Sequence, residues 1–131
     1  MFTIITPERR ASHTDQLDQM YGTRCRMVVG EWKWDIPGID VGYDMDQFDT
    51  GETVYVIVRN DGGDIVATSR LNPTTRPHMM SELFSDYCNL QPYPVGADVW
   101  ECSRFVTDRS MLADPVEDFQ VRCRLGLGLT A

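Results

Sequence analysis

The stretch Val99 to Phe105, V-W-E-C-S-R-F, constrains this chain more than any other. Val99, Trp100 and Phe105 favour a sheet, and Gly96 and Asp98 mark where a strand can begin. Yet Glu101 and Arg104 sit inside the apolar run. A strand of this kind buries its faces, and a buried charge is costly unless it is paired. Both residues therefore need partners from elsewhere in the chain. A carboxylate held in such surroundings is a candidate proton acceptor. Strict alternation places Glu101 and Ser103 on one face and Arg104 on the other, so a bulge or a second partner is needed for them to meet.

The rest of the chain supplies the elements. Thr6-Pro7 reads as an N-cap and first helical position, opening a helix toward Tyr21. Leu17, Met20, Tyr21, Arg24 and Val28 continue one helix face, with Arg24 in the middle of the apolar stripe. Arg24 either snorkels to solvent or turns inward to a carboxylate. Residues 35 to 52 form an acidic, glycine-punctuated loop. Val54 to Arg59 is a strand, Asn60-Asp61-Gly62-Gly63 a turn, and Asp64 to Leu71 the returning strand of a hairpin. Asn72 to Pro77 is expected to be a loop, because neither proline suits a central strand. Met79 to Cys88 is expected to be a short helix that packs Met80, Leu83, Phe84 and Tyr87 into the core. Asp114-Pro115-Val116-Glu117 has capping-box spacing and predicts a helix to about Arg124.

Composition narrows the function classes. A chain of 131 residues suits one domain, and 42% hydrophobic with 24% charged residues is ordinary for a soluble globular protein. No apolar run approaches the ~20 residues of a membrane span, and the N-terminus lacks a signal peptide, so a cytoplasmic protein is expected. The net charge is -8, and eight acids between Asp35 and Asp64 face only Arg59. That argues against nucleic acid and anionic membrane as partners and fits a cationic ligand, although a solvated acidic face is the plainer reading. The four cysteines and two histidines are scattered without metal-ligand spacing, so neither zinc nor any other metal is expected.

The charged residues embedded in structured contexts are Arg24, Asp46, Asp49, Arg70, Glu101 and Arg104, three of each sign. They are expected to converge, since a balanced cluster can be buried where a single charge cannot. Their setting is also recognisable. Arg24, Val28 and Trp34 are followed by Asp46-Gln47-Phe48-Asp49. Then come Ser69-Arg70-Leu71-Asn72-Pro73-Thr74 with Pro77, Met79-Met80 and Phe84, and finally Trp100-Glu101-Cys102-Ser103-Arg104-Phe105. In order and spacing this resembles the LuxI-type acyl-homoserine-lactone synthases, the autoinducer synthases of bacterial quorum sensing. The resemblance runs from about residue 15 to residue 108.

The resemblance implies an α/β fold like that of the GNAT acyltransferases, a mixed, largely antiparallel sheet flanked by helices. It implies acyl transfer from an acyl thioester on acyl carrier protein to the amine of S-adenosylmethionine, then lactone closure. S-adenosylmethionine is a substrate there, and no cofactor is implied. Carried over by match, Glu101 is the base, acting with Arg70, Arg104 and Ser103. Arg24, Trp34, Asp46, Asp49, Phe84 and Phe105 line the substrates. The chemistry suits such residues. A carboxylate can take the amine's proton, Trp34 offers a face to a cation, and an arginine can hold a carboxylate bidentately. Two departures stand out. Val28 occupies a position where the family carries an aromatic residue, and the chain is expected to be truncated at its C-terminus. A remnant that at most binds S-adenosylmethionine is the alternative, and an unrelated ion-pair domain is a third.

Overall fold

The computed structural model describes residues 1–35, 42–88, 90–112, 117–118 and 120–122. Among them, four strands form one antiparallel sheet in the order β1-β2-β3-β4. They are β1 (Phe2–Ile5), β2 (Val54–Arg59), β3 (Ile65–Pro73) and β4 (Trp100–Thr107). The helices are α1 (Thr14–Cys25) and the four-residue α2 (Met79–Glu82).

β2 reads V-Y-V-I-V and is buried on both faces. Tyr55 and Ile57 join Ile5, Leu17, Met20, Tyr21 and Ile65 in one core cluster, beneath α1. Val56 and Val58 join Val66, Ala67 and Val121 in a second cluster. This is the period of two at work: successive residues of a central strand feed opposite layers. No helix among the described residues is long and apolar enough to cross a membrane.

Several expectations are corrected. Phe2–Ile5 forms an edge strand on β2 that the sequence reading did not foresee. Pro7 does start a helical segment, but Pro7–Ser12 is 3₁₀ and α1 begins only at Thr14. The Ser12 hydroxyl donates to Arg9 O at 2.9 Å, a local bond of the kind that competes with helix continuation. After α1 the helix widens into a π-turn, Arg26–Glu31.

β3 does not stop at Leu71 but runs through Asn72 and Pro73, pairing Pro73 with Trp100. The proline is tolerated for a geometric reason. Thr74 N–H points to Val99 O on the β4 side, so by alternation the Pro73 nitrogen faces the β2 side. There β2 has already ended, at Val54 opposite Leu71.

The expected helix over 79–88 breaks after Glu82, followed by a 3₁₀ turn at Ser85–Tyr87. Leu83, Phe84 and Tyr87 are exposed rather than core. α2 is tied down at its N-terminus, by Glu101, and not by an apolar face. Of the helix expected from Asp114 to Arg124, residues 113–116, 119 and 123 onward lie outside the described residues, while the described positions 117–118 and 120–122 are helical.

Candidate active site

Six charged side chains close into a ring. Arg24 comes from the last turn of α1, Arg70 from β3 and Arg104 from β4, and the segment 44–49 supplies three aspartates. Arg24 donates from Nε to Asp44 at 3.2 Å and clamps both oxygens of Asp49 at 2.9 and 3.1 Å. Arg70 Nη1 donates to Asp49 at 2.9 Å and to Asp46 at 2.6 Å. Arg104 reaches Asp46 from Nη2 at 2.8 Å and Asp44 from Nε at 2.9 Å. Each aspartate thus bridges two arginines, and signs alternate around the ring. Arg24, Arg70 and Asp44 have no exposed surface. Desolvation of this many charges is tolerable only because every charge has two opposite neighbours.

The inward reading of Arg24 therefore holds, and snorkelling does not. Asp44 is the member that sequence reasoning missed. Its signal was present, since D-M-D-Q-F-D places three aspartates within six residues. The local turn explains how they converge: Asp46 N–H donates to Asp49 Oδ2 at 2.9 Å and Phe48 N–H to Asp46 Oδ1 at 2.8 Å.

The ring sets the ionisation of its members. Burial resists charge on Asp49, but the hydrogen bonds and charge of Arg24, with the charge of Arg70 and the Asp46 amide, hold it down at about 2. Burial likewise works against the charged form of Arg24, yet its bonds to Asp49 and the charge of Asp44 raise it above an ordinary arginine. Tyr55 donates to Asp49 Oδ1 at 2.9 Å and meets the Tyr21 hydroxyl at 2.8 Å. Burial, then the charge of Asp49, pushes Tyr55 well above the usual phenol range, so it stays a donor.

β4 delivers Arg104 through a bulge, one of the two outcomes that alternation left open. Thr68 pairs with Val106 and Arg70 with Ser103, so Arg104 and Phe105 together face Ser69. Arg104 has φ +51°, a left-handed conformation rare for a non-glycine residue. The extra residue brings Arg104 to the ring while Ser103 stays beside it, accepting from Arg70 Nε at 3.0 Å.

Glu101 is not in the ring. The expectation that it converges with Arg24, Asp46, Asp49, Arg70 and Arg104 in one cluster is corrected. Its oxygens accept from the backbone N–H groups of Met79 at 3.2 Å and Met80 at 2.6 Å, the first turn of α2. Met79 in turn links it to the ring, since Arg70 Nη2 lies 3.1 Å from Met79 Sδ.

Beside the ring lies a pocket of about 650 Å³. Trp34, Phe48, Met79, Leu83 and Phe84 give it apolar walls, and Asp46 and Arg104 give it charge. The Asp46 side chain is 14% exposed, whereas those of Asp44 and Asp49 are closed off, so Asp46 is the carboxylate of the ring that a ligand can reach. Trp34 is half exposed and lies against Trp32, with ring centres 5.4 Å apart. Phe105 is elsewhere. It lines a separate pocket with Met27, Trp32 and Arg109, because the bulge turns it away from the ring.

The described geometry has counterparts among known proteins. The autoinducer synthase family model matches residues 8–126. An acyl-homoserine-lactone synthase of Ralstonia solanacearum is 40% identical over 83 residues, 63% of this chain and 41% of that protein. An isovaleryl-homoserine lactone synthase of Bradyrhizobium diazoefficiens is 32% identical over 109 residues, 83% of this chain and 49% of that protein. This chain thus spans about half the length, or less, of these curated relatives. Among solved structures, a CoA-dependent acyl-homoserine lactone synthase with SAM and isopentyl-CoA superposes with a TM-score of 0.84 at 29% identity, covering 99% of this chain and 61% of that one. The four-stranded antiparallel sheet with its flanking helices is accordingly the GNAT-like α/β arrangement of these enzymes. With nine-tenths of its length matched by the family model, this chain belongs to the autoinducer synthase family.

Proposed function

We propose that the protein is an acyl-homoserine-lactone synthase that uses S-adenosylmethionine as the amine acceptor. The observation that carries this reading is the joining of apolar walls with Asp46 and Arg104 in one pocket. S-adenosylmethionine presents a flat adenosine, a sulfonium, an ammonium and a carboxylate. Trp34 and Phe48 suit the adenosine and the sulfonium, Asp46 the ammonium, and Arg104 the carboxylate.

In the proposed reaction the ammonium passes a proton to Glu101, directly or through one water. The free amine then attacks the thioester carbonyl, the C–N bond forms, the C–S bond breaks, and the thiol leaves with a proton. The methionine carboxylate next attacks its own γ-carbon, closing the lactone and expelling methylthioadenosine. Glu101 keeps lone pairs for this role, because two backbone amides occupy only part of a carboxylate's acceptor capacity. The family resemblance favours an acyl carrier protein thioester as donor. The likeness to a CoA-dependent structure favours the CoA thioester as a second reading.

Both are tested by supplying each thioester with S-adenosylmethionine and identifying the lactone by mass spectrometry. Glu101→Gln is expected to keep the fold by circular dichroism and to lower the rate by ~10²–10⁴-fold, the usual size of a general-base contribution. A rate near that of the parent would show that Glu101 only anchors α2.

A further inference from the structure

Asn72 is buried, at 2% exposure, yet half of its side-chain amide has no partner among the described residues. Oδ1 accepts from Thr53 Oγ1 at 2.6 Å, while Nδ2 is unpaired. The assignment of the two ends fits the distance. At 2.6 Å the contact suits an O–H donor to an oxygen and is short for an N–H donor. A buried donor without an acceptor is a cost that folding alone gives no reason to retain.

Position supplies a reason. Asn72 lies directly opposite Glu101 on the neighbouring strand, and Arg70 lies opposite Ser103. Directly opposed residues leave the sheet on the same face, with Cβ atoms about 4.5–5.5 Å apart. The unpaired donor of Asn72 therefore shares a sheet face with a carboxylate that has acceptor capacity to spare. Asn72 is not part of the lining of the pocket that holds Asp46 and Arg104.

We propose that Asn72 is a positioning residue for proton transfer to Glu101. It holds the water through which Glu101 takes the proton of the substrate ammonium, and so rests on the synthase reading above. The polarity balances. Asn72 Nδ2–H donates to the water, and the water donates to Glu101. Its second lone pair receives the ammonium proton as its own proton passes to the carboxylate. No other reactant is required.

The test is Asn72→Leu, close in size and without the amide. Thr53 keeps an acceptor in the variant, because its hydroxyl also lies 3.1 Å from Phe48 O. The variant is expected to melt at the same temperature as the parent or higher, to bind S-adenosylmethionine unchanged by calorimetry, and to lose at least tenfold in kcat with little change in KM. The loss is expected to shrink as pH rises, since a substrate amine that is already neutral needs no relay. Asn72→Ser, which keeps a donor, is expected to recover part of the rate. A parent-like kcat in Asn72→Leu, or a loss that is the same at every pH, overturns the proposal while leaving the synthase reading intact. A parent protein that makes no lactone from either thioester overturns both.

Discussion

At the scale of single residues, the ring makes Asp49 the most exacting position. It accepts from both Arg24 and Arg70, and removing it leaves two buried guanidiniums short of a partner. Breaking a buried pair of this kind typically costs about 3–5 kcal/mol. Asp49→Asn is expected to lose stability of that order in urea unfolding, and a loss below 1 kcal/mol would mean the ring is wetter than its burial indicates. The same residue sets an acid limit. Its folded value of about 2 is depressed from 3.8, so its contribution is complete above about pH 4 and is lost as pH falls toward 2. A shift of this size corresponds to about 2 kcal/mol. Stability measured from pH 5 to 2 is expected to fall steeply in the parent and less steeply in Asp49→Asn.

Among the elements, β4 and the end of β3 hold the site in register. Thr74, just past Pro73, ties the preceding turn to β4. Its Oγ1 donates to Val99 O at 2.8 Å and accepts from Gly96 N–H at 3.2 Å. Those two bonds fix where β4 starts, and hence where Glu101 and the bulge at Arg104 fall. Thr74→Val keeps the shape and removes both side-chain bonds; Val99 O keeps the Thr74 backbone N–H, so the half-buried Gly96 amide is the group that loses its partner, at about 1 kcal/mol. Hydrogen exchange at the Gly96 and Val99 amides is expected to quicken in that variant, and lactone synthesis to fall with it. Unchanged exchange would place the register under the control of the β3–β4 ladder alone.

For the molecule as a whole, the described residues leave much apolar surface open. β4 pairs only with β3 among them, and Trp100 and Phe105 on it are exposed. Leu83, Phe84, Tyr87, Leu90 and Val95 are exposed as well. An unpaired strand edge with apolar side chains invites pairing with another chain. The 131-residue chain is expected to self-associate as its concentration rises, seen by light scattering. Phe105→Lys is expected to suppress this without lowering the unfolding midpoint. A monomer at all concentrations would show that this surface is already covered.

What could be read from the amino-acid sequence was whatever local chemistry enforces. The β2–β3 hairpin follows from an apolar strand ending in Asn60-Asp61-Gly62-Gly63, whereas the place of Arg24 on an apolar helix stripe left snorkelling and an inward turn both open. Alternation at Glu101, Ser103 and Arg104 called for a bulge or a second partner, and the structure has both, a bulge at Arg104 and the α2 amides on Glu101. Pairings over long sequence separations were decided only in the tertiary structure. No periodicity tells β1 to pair with β2, or tells Pro73 that its neighbour strand has already ended. Asp44 looks like its solvated neighbours until Arg24 and Arg104, 20 and 60 positions away, close on it. Glu101 reads as a member of the charged cluster, but it is the α2 amides that answer its charge. Sequence shows that a buried charge must be answered, because desolvation is a property of the residue. Which group answers it depends on distances that exist only once the sheet has formed.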